Sequence, residues 1–81
     1  LKNLLDLSGN MGLGTNNPKN KLDVEGSTVI GSTYSGVNTA PTNGLLVEGN
    51  VGIGTTPSQK LHIAGAGNQF IYLNNTNIIK L

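Results

Sequence analysis

The feature that most constrains this chain is an internal repeat. Gly9-Asn10-Met11-Gly12-Leu13-Gly14-Thr15 returns forty positions later as Gly49-Asn50-Val51-Gly52-Ile53-Gly54-Thr55, with five of the seven residues identical. The match continues: Asn17-Pro18 aligns with Thr56-Pro57, Lys21-Leu22-Asp23-Val24 with Lys60-Leu61-His62-Ile63, and Gly26 with Gly65. The offset drops to thirty-nine between Thr15 and Pro18, so the first copy carries one extra residue in its turn. Self-similarity at a period of about 20–50 residues signals an array whose units cannot bury their apolar faces alone.

Each copy reads as a strand, a tight turn and a second strand. Met11 and Leu13 alternate with Gly12 and Gly14, and Val51 and Ile53 with Gly52 and Gly54. A period of two puts the large side chains on one face and the glycines on the other. Glycine inside a strand marks close approach of another backbone or a bulge. Gly12, Gly14, Gly52 and Gly54 are therefore expected at a packed contact, with a neighbouring chain as the group that presses in. The second strands, Lys21 to Glu25 and Lys60 to Ile63, alternate in the same way. The expected core is Met11, Leu13, Leu22, Val24, Val51, Ile53, Leu61 and Ile63. Asp23 and His62 occupy the opposite phase and are expected to be exposed.

The remaining segments have the same texture. Leu5 and Leu7 align with Leu45 and Val47 and are expected in a strand. Asn16-Asn17-Pro18 lies in a loop, because proline holds the residue before it extended and cannot donate to a ladder. Ser27 to Gly31 reads as a short strand. Residues 32–43 read as a polar surface loop pinned by Tyr34 and Val37. Gln69-Phe70-Ile71-Tyr72-Leu73 is the most β-prone run, with a turn at Asn74 to Asn77 leading into Ile78 to Leu81. Short, evenly spaced strands punctuated by Gly and Asn predict an all-β fold with no helix. Two repeats of about forty residues are expected, roughly 5–44 and 45–81, in one segment covering 1–81.

Composition explains why such a chain needs company. It has 81 residues, 12 Gly, one Phe, two Tyr, no Trp and no Cys. Hydrophobic residues make up 36%. So small a domain buries a limited share of its surface and has little with which to offset ordering so much Gly and Asn. No disulfide can supply the deficit. Association between identical chains is the expected remedy.

Charge and motifs exclude several function classes. Five Lys face four acids, with no Arg and a net charge of +1; nucleic acid needs clustered cations, so none is expected as a partner. No apolar run approaches the ~20 residues of a membrane span. The chain opens on Leu1, and we expect it to be a segment of a longer protein. Gly9, Gly12 and Gly14 stand in the reverse of the dinucleotide order, and no Lys-Ser or Lys-Thr follows as a phosphate loop requires. Asp6, Asp23, Glu25 and Glu48 are scattered on strand ends, with no pairing suited to acid/base work. His62, the single histidine, reads as a surface residue; three copies on a threefold axis would make a metal site only with the strand phase reversed. Asn74-Asn75-Thr76 fits the glycosylation pattern, a chance match in so Asn-rich a chain. We expect no enzymatic activity, cofactor or metal.

Residues 49–61, Gly-Asn-Val-Gly-Ile-Gly-Thr-Thr-Pro-Ser-Gln-Lys-Leu, resemble the repeat GNVGIGTTSPxxKLxVxG found along the shafts of bacteriophage tail fibres and tailspikes. That repeat often lies upstream of an endosialidase-type intramolecular chaperone domain. The resemblance covers about 5–26 and 45–65; the Ser usual before Pro57 is missing, and the first copy has Asn16-Asn17 there. It implies an elongated trimeric β shaft, like a triple β-helix or β-prism, that carries a distal host-binding tip in the virion. Its implied partners are two further copies of the chain, neighbouring fibre segments and, through the tip, a host surface glycan or protein. A bacterial surface adhesin or the fibre of a phage-derived injection machine, at the cell surface or outside the cell, is the alternative with the same shaft. A glycan-binding or glycan-cleaving module needs more aromatics than Tyr34, Phe70 and Tyr72, or paired carboxylates.

Overall fold

The computed structural model describes residues 3–74. The expected turn and strand over 75–81, the last two residues of the glycosylation pattern and the end of the second repeat lie outside the described residues. Among the described residues the chain is all-β, without a helix: seven strands of two or three residues in three small sheets. The strands are β1 (Leu4–Leu5), β2 (Met11–Leu13), β3 (Leu22–Val24), β4 (Thr28–Ile30), β5 (Leu45–Val47), β6 (Val51–Ile53) and β7 (Leu61–Ile63). Two compact units divide at Gly49 and Asn50.

The expected tight turn within each repeat is replaced by a longer connection, because the two strands run parallel. β2 pairs with β3 with Met11 opposite Leu22, Gly12 opposite Asp23 and Leu13 opposite Val24. β6 pairs with β7 in the matching register, Val51 to Leu61, Gly52 to His62 and Ile53 to Ile63. Parallel strands usually need a helical crossover of a dozen residues or more. Here the connections are only residues 14–21 and 54–60. They suffice because a three-residue strand is only about 10 Å long. The extra residue of the first copy lies in its connection.

A third parallel pair, β4 with β5, joins Thr28–Ile30 to Leu45–Val47. All three share one hydrogen-bond frame. The first residue of the leading strand donates its N–H to the carbonyl just before the second strand: Met11 to Lys21 at 2.8 Å, Thr28 to Gly44 at 2.9 Å, Val51 to Lys60 at 2.8 Å. The residue after the second strand donates back: Glu25 to Leu13 and Glu48 to Ile30 at 2.8 Å, Ala64 to Ile53 at 3.0 Å. After each leading strand comes a glycine with positive φ: Gly14 at 84°, Gly31 at 147° and Gly54 at 78°. That backbone conformation strains residues with a Cβ, and it turns the chain out of the sheet.

The close approach at the strand glycines comes from the chain itself. A Cβ on Gly12 would collide with the Thr15 carbonyl oxygen. A Cβ on Gly52 would collide with the Thr55 carbonyl oxygen and stand 2.7 Å from Pro57 Cδ. One on Gly14 would lie 2.8 Å from the Glu25 carbonyl oxygen, and one on Gly54 would collide with that of Ala64. The group that presses on these glycines within a chain is therefore its own connection and the end of its own second strand, where a neighbouring chain was expected.

Three further expectations change. Leu7 lies in a turn, not a strand: Asp6 Oδ1 accepts the N–H of Ser8 at 3.0 Å and of Asn10 at 2.8 Å. That turn brings β1 back antiparallel to β2, whereas β5, aligned with Leu5 to Leu7 by sequence, pairs parallel with β4. The 31–44 connection is not pinned by Val37, which is 77% exposed; Ala40 is buried instead. Asn43 takes φ 55° where the Gly44 N–H reaches the Pro41 carbonyl at 2.9 Å, the positive φ a type II turn needs at its third position. Gln69 to Leu73 has no strand partner among the described residues. Side-chain propensity favours extension but does not supply a ladder.

Gly12→Ala and Gly52→Ala should each lower stability by about 1–3 kcal/mol through overpacking. Gly49→Ala, where nothing lies within 4 Å of the new methyl, should change it by less than about 1 kcal/mol. Thermal melts of the three variants check this; equal shifts at all three sites would show that the connections do not press on the strand glycines.

Candidate functional site

The in-register parallel pairs sort the repeat residues onto two faces. Neighbours in register share a face, and successive residues alternate. Gly12 and Asp23 share the face over which the 14–21 connection returns, and Gly52 and His62 share the corresponding face under 54–60. Met11, Leu13, Leu22 and Val24 occupy the other face of the first pair; Val51, Ile53, Leu61 and Ile63 occupy that of the second. Six of these eight are exposed, Leu22 by 58% and Leu61 by 57%, while Val51 and Ile63 are half-buried. Ala40, at 5% exposure, is the one buried hydrophobic residue among those described.

The covered face has its own chemistry. A connection that crosses a sheet carries backbone N–H groups that need acceptors. Asp23 meets this need in the first copy: its carboxylate accepts the N–H of Lys19, the N–H of Asn20 at 3.1 Å and the Asn20 side-chain amide at 2.8 Å. His62 does so in the second, its Nδ1 accepting the Ser58 N–H at 3.1 Å, with Ser58 Oγ at 3.4 Å. Both residues were expected to be exposed; both are half-buried, because each is held under its own connection. Glu48 plays the same part for the 31–44 connection, Oε1 accepting the N–H of Thr33 at 2.9 Å and of Tyr34 at 3.0 Å. With Asp6, three of the four carboxylates hold loop amides. Sequence reading placed them on strand ends without a role.

The middle pair also went unseen as a relative of the other two. Its signal was present: Val47-Glu48-Gly49 repeats Val24-Glu25-Gly26, and Gly31 follows β4 as Gly14 follows β2.

No cavity opens among the described residues. Neither do three His, Asp or Glu side chains converge there in a way that would hold a metal ion. No described helix is long and apolar enough to cross a membrane. Comparison with known protein families, with curated proteins and with solved structures finds no match. The feature that distinguishes this molecule is a surface: apolar strand faces left open opposite faces crossed by the chain's own backbone.

Asp23 yields a pH prediction. The Asn20 side-chain amide, then the backbone N–H groups of Lys19 and Asn20, hold its carboxyl below the ordinary aspartate value. A group whose folded-state value is depressed stabilises the fold above its unfolded value, about 3.9 for aspartate, and that contribution is lost as pH falls further. The melting temperature should therefore fall more steeply between about pH 4 and pH 2 in the wild type than in Asp23→Asn. Parallel slopes for the two proteins would remove Asp23 from this role.

Proposed function

We propose that this chain is a structural shaft segment of a homotrimeric bacteriophage tail fibre, which holds a distal host-binding tip at a fixed distance from the particle. The observation that carries the reading is the near absence of buried hydrophobic side chains. Among the described residues Ala40 is the one buried hydrophobic residue, while Met11, Leu13, Leu22, Val24, Ile53 and Leu61 remain exposed on the strands. Moving a side chain of this size out of water contributes about 1.5–3 kcal/mol. A single chain forgoes most of that gain and still bears the entropy of ordering its loops.

Parallel sheets are found with both faces covered. In β2–β3 and β6–β7 the connection covers one face, and the open face is apolar. Two further copies of the chain are the cover that the repeat and the fibre resemblance favour. Contiguous exposed apolar faces mark association surfaces. In this reading the segment is not an enzyme and takes no cofactor, and receptor binding belongs to the tip.

Sedimentation equilibrium at micromolar concentration should give the mass of three chains, with a melting temperature that rises with concentration. Leu61→Ala should cost about 2–5 kcal/mol per chain if Leu61 is packed between chains. In a monomer, where Leu61 is more than half exposed, the same change should cost less than about 0.5 kcal/mol. A folded monomer that tolerates Leu61→Ala would overturn the proposal.

A further inference from the structure

The repeat places two different acceptors at one structural position. Asp23 and His62 stand at the centre of the second strand of their pairs, opposite Gly12 and Gly52. Each takes the backbone N–H of the residue four positions earlier, Lys19 or Ser58. The chemistry of the two acceptors differs. A carboxylate keeps free lone pairs down to about pH 4, whereas an imidazole gains its proton between about pH 8 and 5.

We propose that His62 makes the 54–60 connection an acid-sensitive clasp, while Asp23 holds the 14–21 connection closed through the same pH range. In the closed state Nδ1 carries no proton and accepts the Ser58 N–H, which places the ring proton on Nε2. A proton taken from solvent occupies the Nδ1 lone pair. The imidazolium then has two N–H donors and no acceptor, so the Ser58 N–H loses its partner. The new Nδ1–H faces Ser58 Oγ, 3.4 Å away, as the nearby acceptor.

No described side chain of this unit brings His62 a negative charge that would offset this loss. β6, the strand paired with β7, contributes no titratable side chain, and residues 50–81 contain no Asp or Glu. The other titratable side chains in the described part of this unit are Lys60, at the end of the connection, and Tyr72. Neither brings a negative charge to an imidazolium at mildly acid pH. The neutral form is the one that accepts the Ser58 N–H in the fold, and the imidazolium has no lone pair to do so. What opens is the part of the connection that lies over Gly52, where Thr55 and Pro57 fill the space of the missing Cβ.

The test is amide hydrogen exchange of the whole chain followed by NMR between pH 7.5 and 5.0, corrected for the intrinsic pH dependence of exchange. Protection of the Ser58 amide should fall roughly five- to tenfold, the loss of one hydrogen bond of about 1 kcal/mol or slightly more. That fall should track the titration of the His62 ring observed in the same samples. The Lys19 and Asn20 amides should keep their protection over this range. His62→Asp should abolish the Ser58 response, and Asp23→His should transfer it to Lys19. Constant Ser58 protection across the titration of the ring would overturn the proposal even if neither variant folds. An equal loss at Ser58 and Lys19 in the wild type would overturn it as well.

Discussion

The structure depends on a connection folding back across one face of a three-residue parallel pair. That crossing brings backbone atoms against the centre of the leading strand, where the Thr15 and Thr55 carbonyls leave room for no side chain at Gly12 and Gly52. It also brings amide N–H groups over the centre of the second strand, where Asp23 and His62 accept them. A face closed by peptide groups is a polar face, so it wants glycine on one strand and an acceptor on the other. Alternation then leaves the large apolar side chains no place but the opposite face.

The same logic accounts for the third pair with different residues. There the acceptor is Glu48, one position beyond β5, and it reaches the amides of Thr33 and Tyr34. The longer 31–44 connection folds into turns of its own and buries Ala40. Each of the three connections within a parallel pair is thus held by a side chain in the second strand or just after it. A chain with so few apolar residues gains order from satisfied backbone donors where a larger domain would gain it from a core.

This division of labour bears on function. Backbone hydrogen bonds shape each short pair but add little net free energy, about 0.5–1.5 kcal/mol apiece. The hydrophobic contribution stays in reserve on the uncovered strands and in Phe70 and Tyr72, both 85% exposed. Among the described residues there is neither a cavity nor a set of three His, Asp or Glu side chains that could hold a metal ion. At the two matching positions one connection is held by a carboxylate, Asp23, and the other by an imidazole, His62.

The sequence by itself determined the all-β class, the positions of β2 to β7 and the phase that separates Met11, Leu13, Leu22 and Val24 from Gly12 and Asp23. Period-two alternation and glycine punctuation are local properties, legible in a few neighbouring residues. Tertiary structure alone decided that the strands of each repeat run parallel and that Leu7 leaves the strand its alignment suggested. It also decided that Asp23 and His62 are acceptors under a loop and not solvated residues. It left Gln69 to Leu73 without a strand partner among the described residues, despite the strongest β propensity in the chain. Strand direction, ladder partners and the atom that presses on a glycine depend on where the chain goes after it leaves the strand. Alternating patterns carry no record of that path, because the same alternation serves a strand whichever way its partner runs.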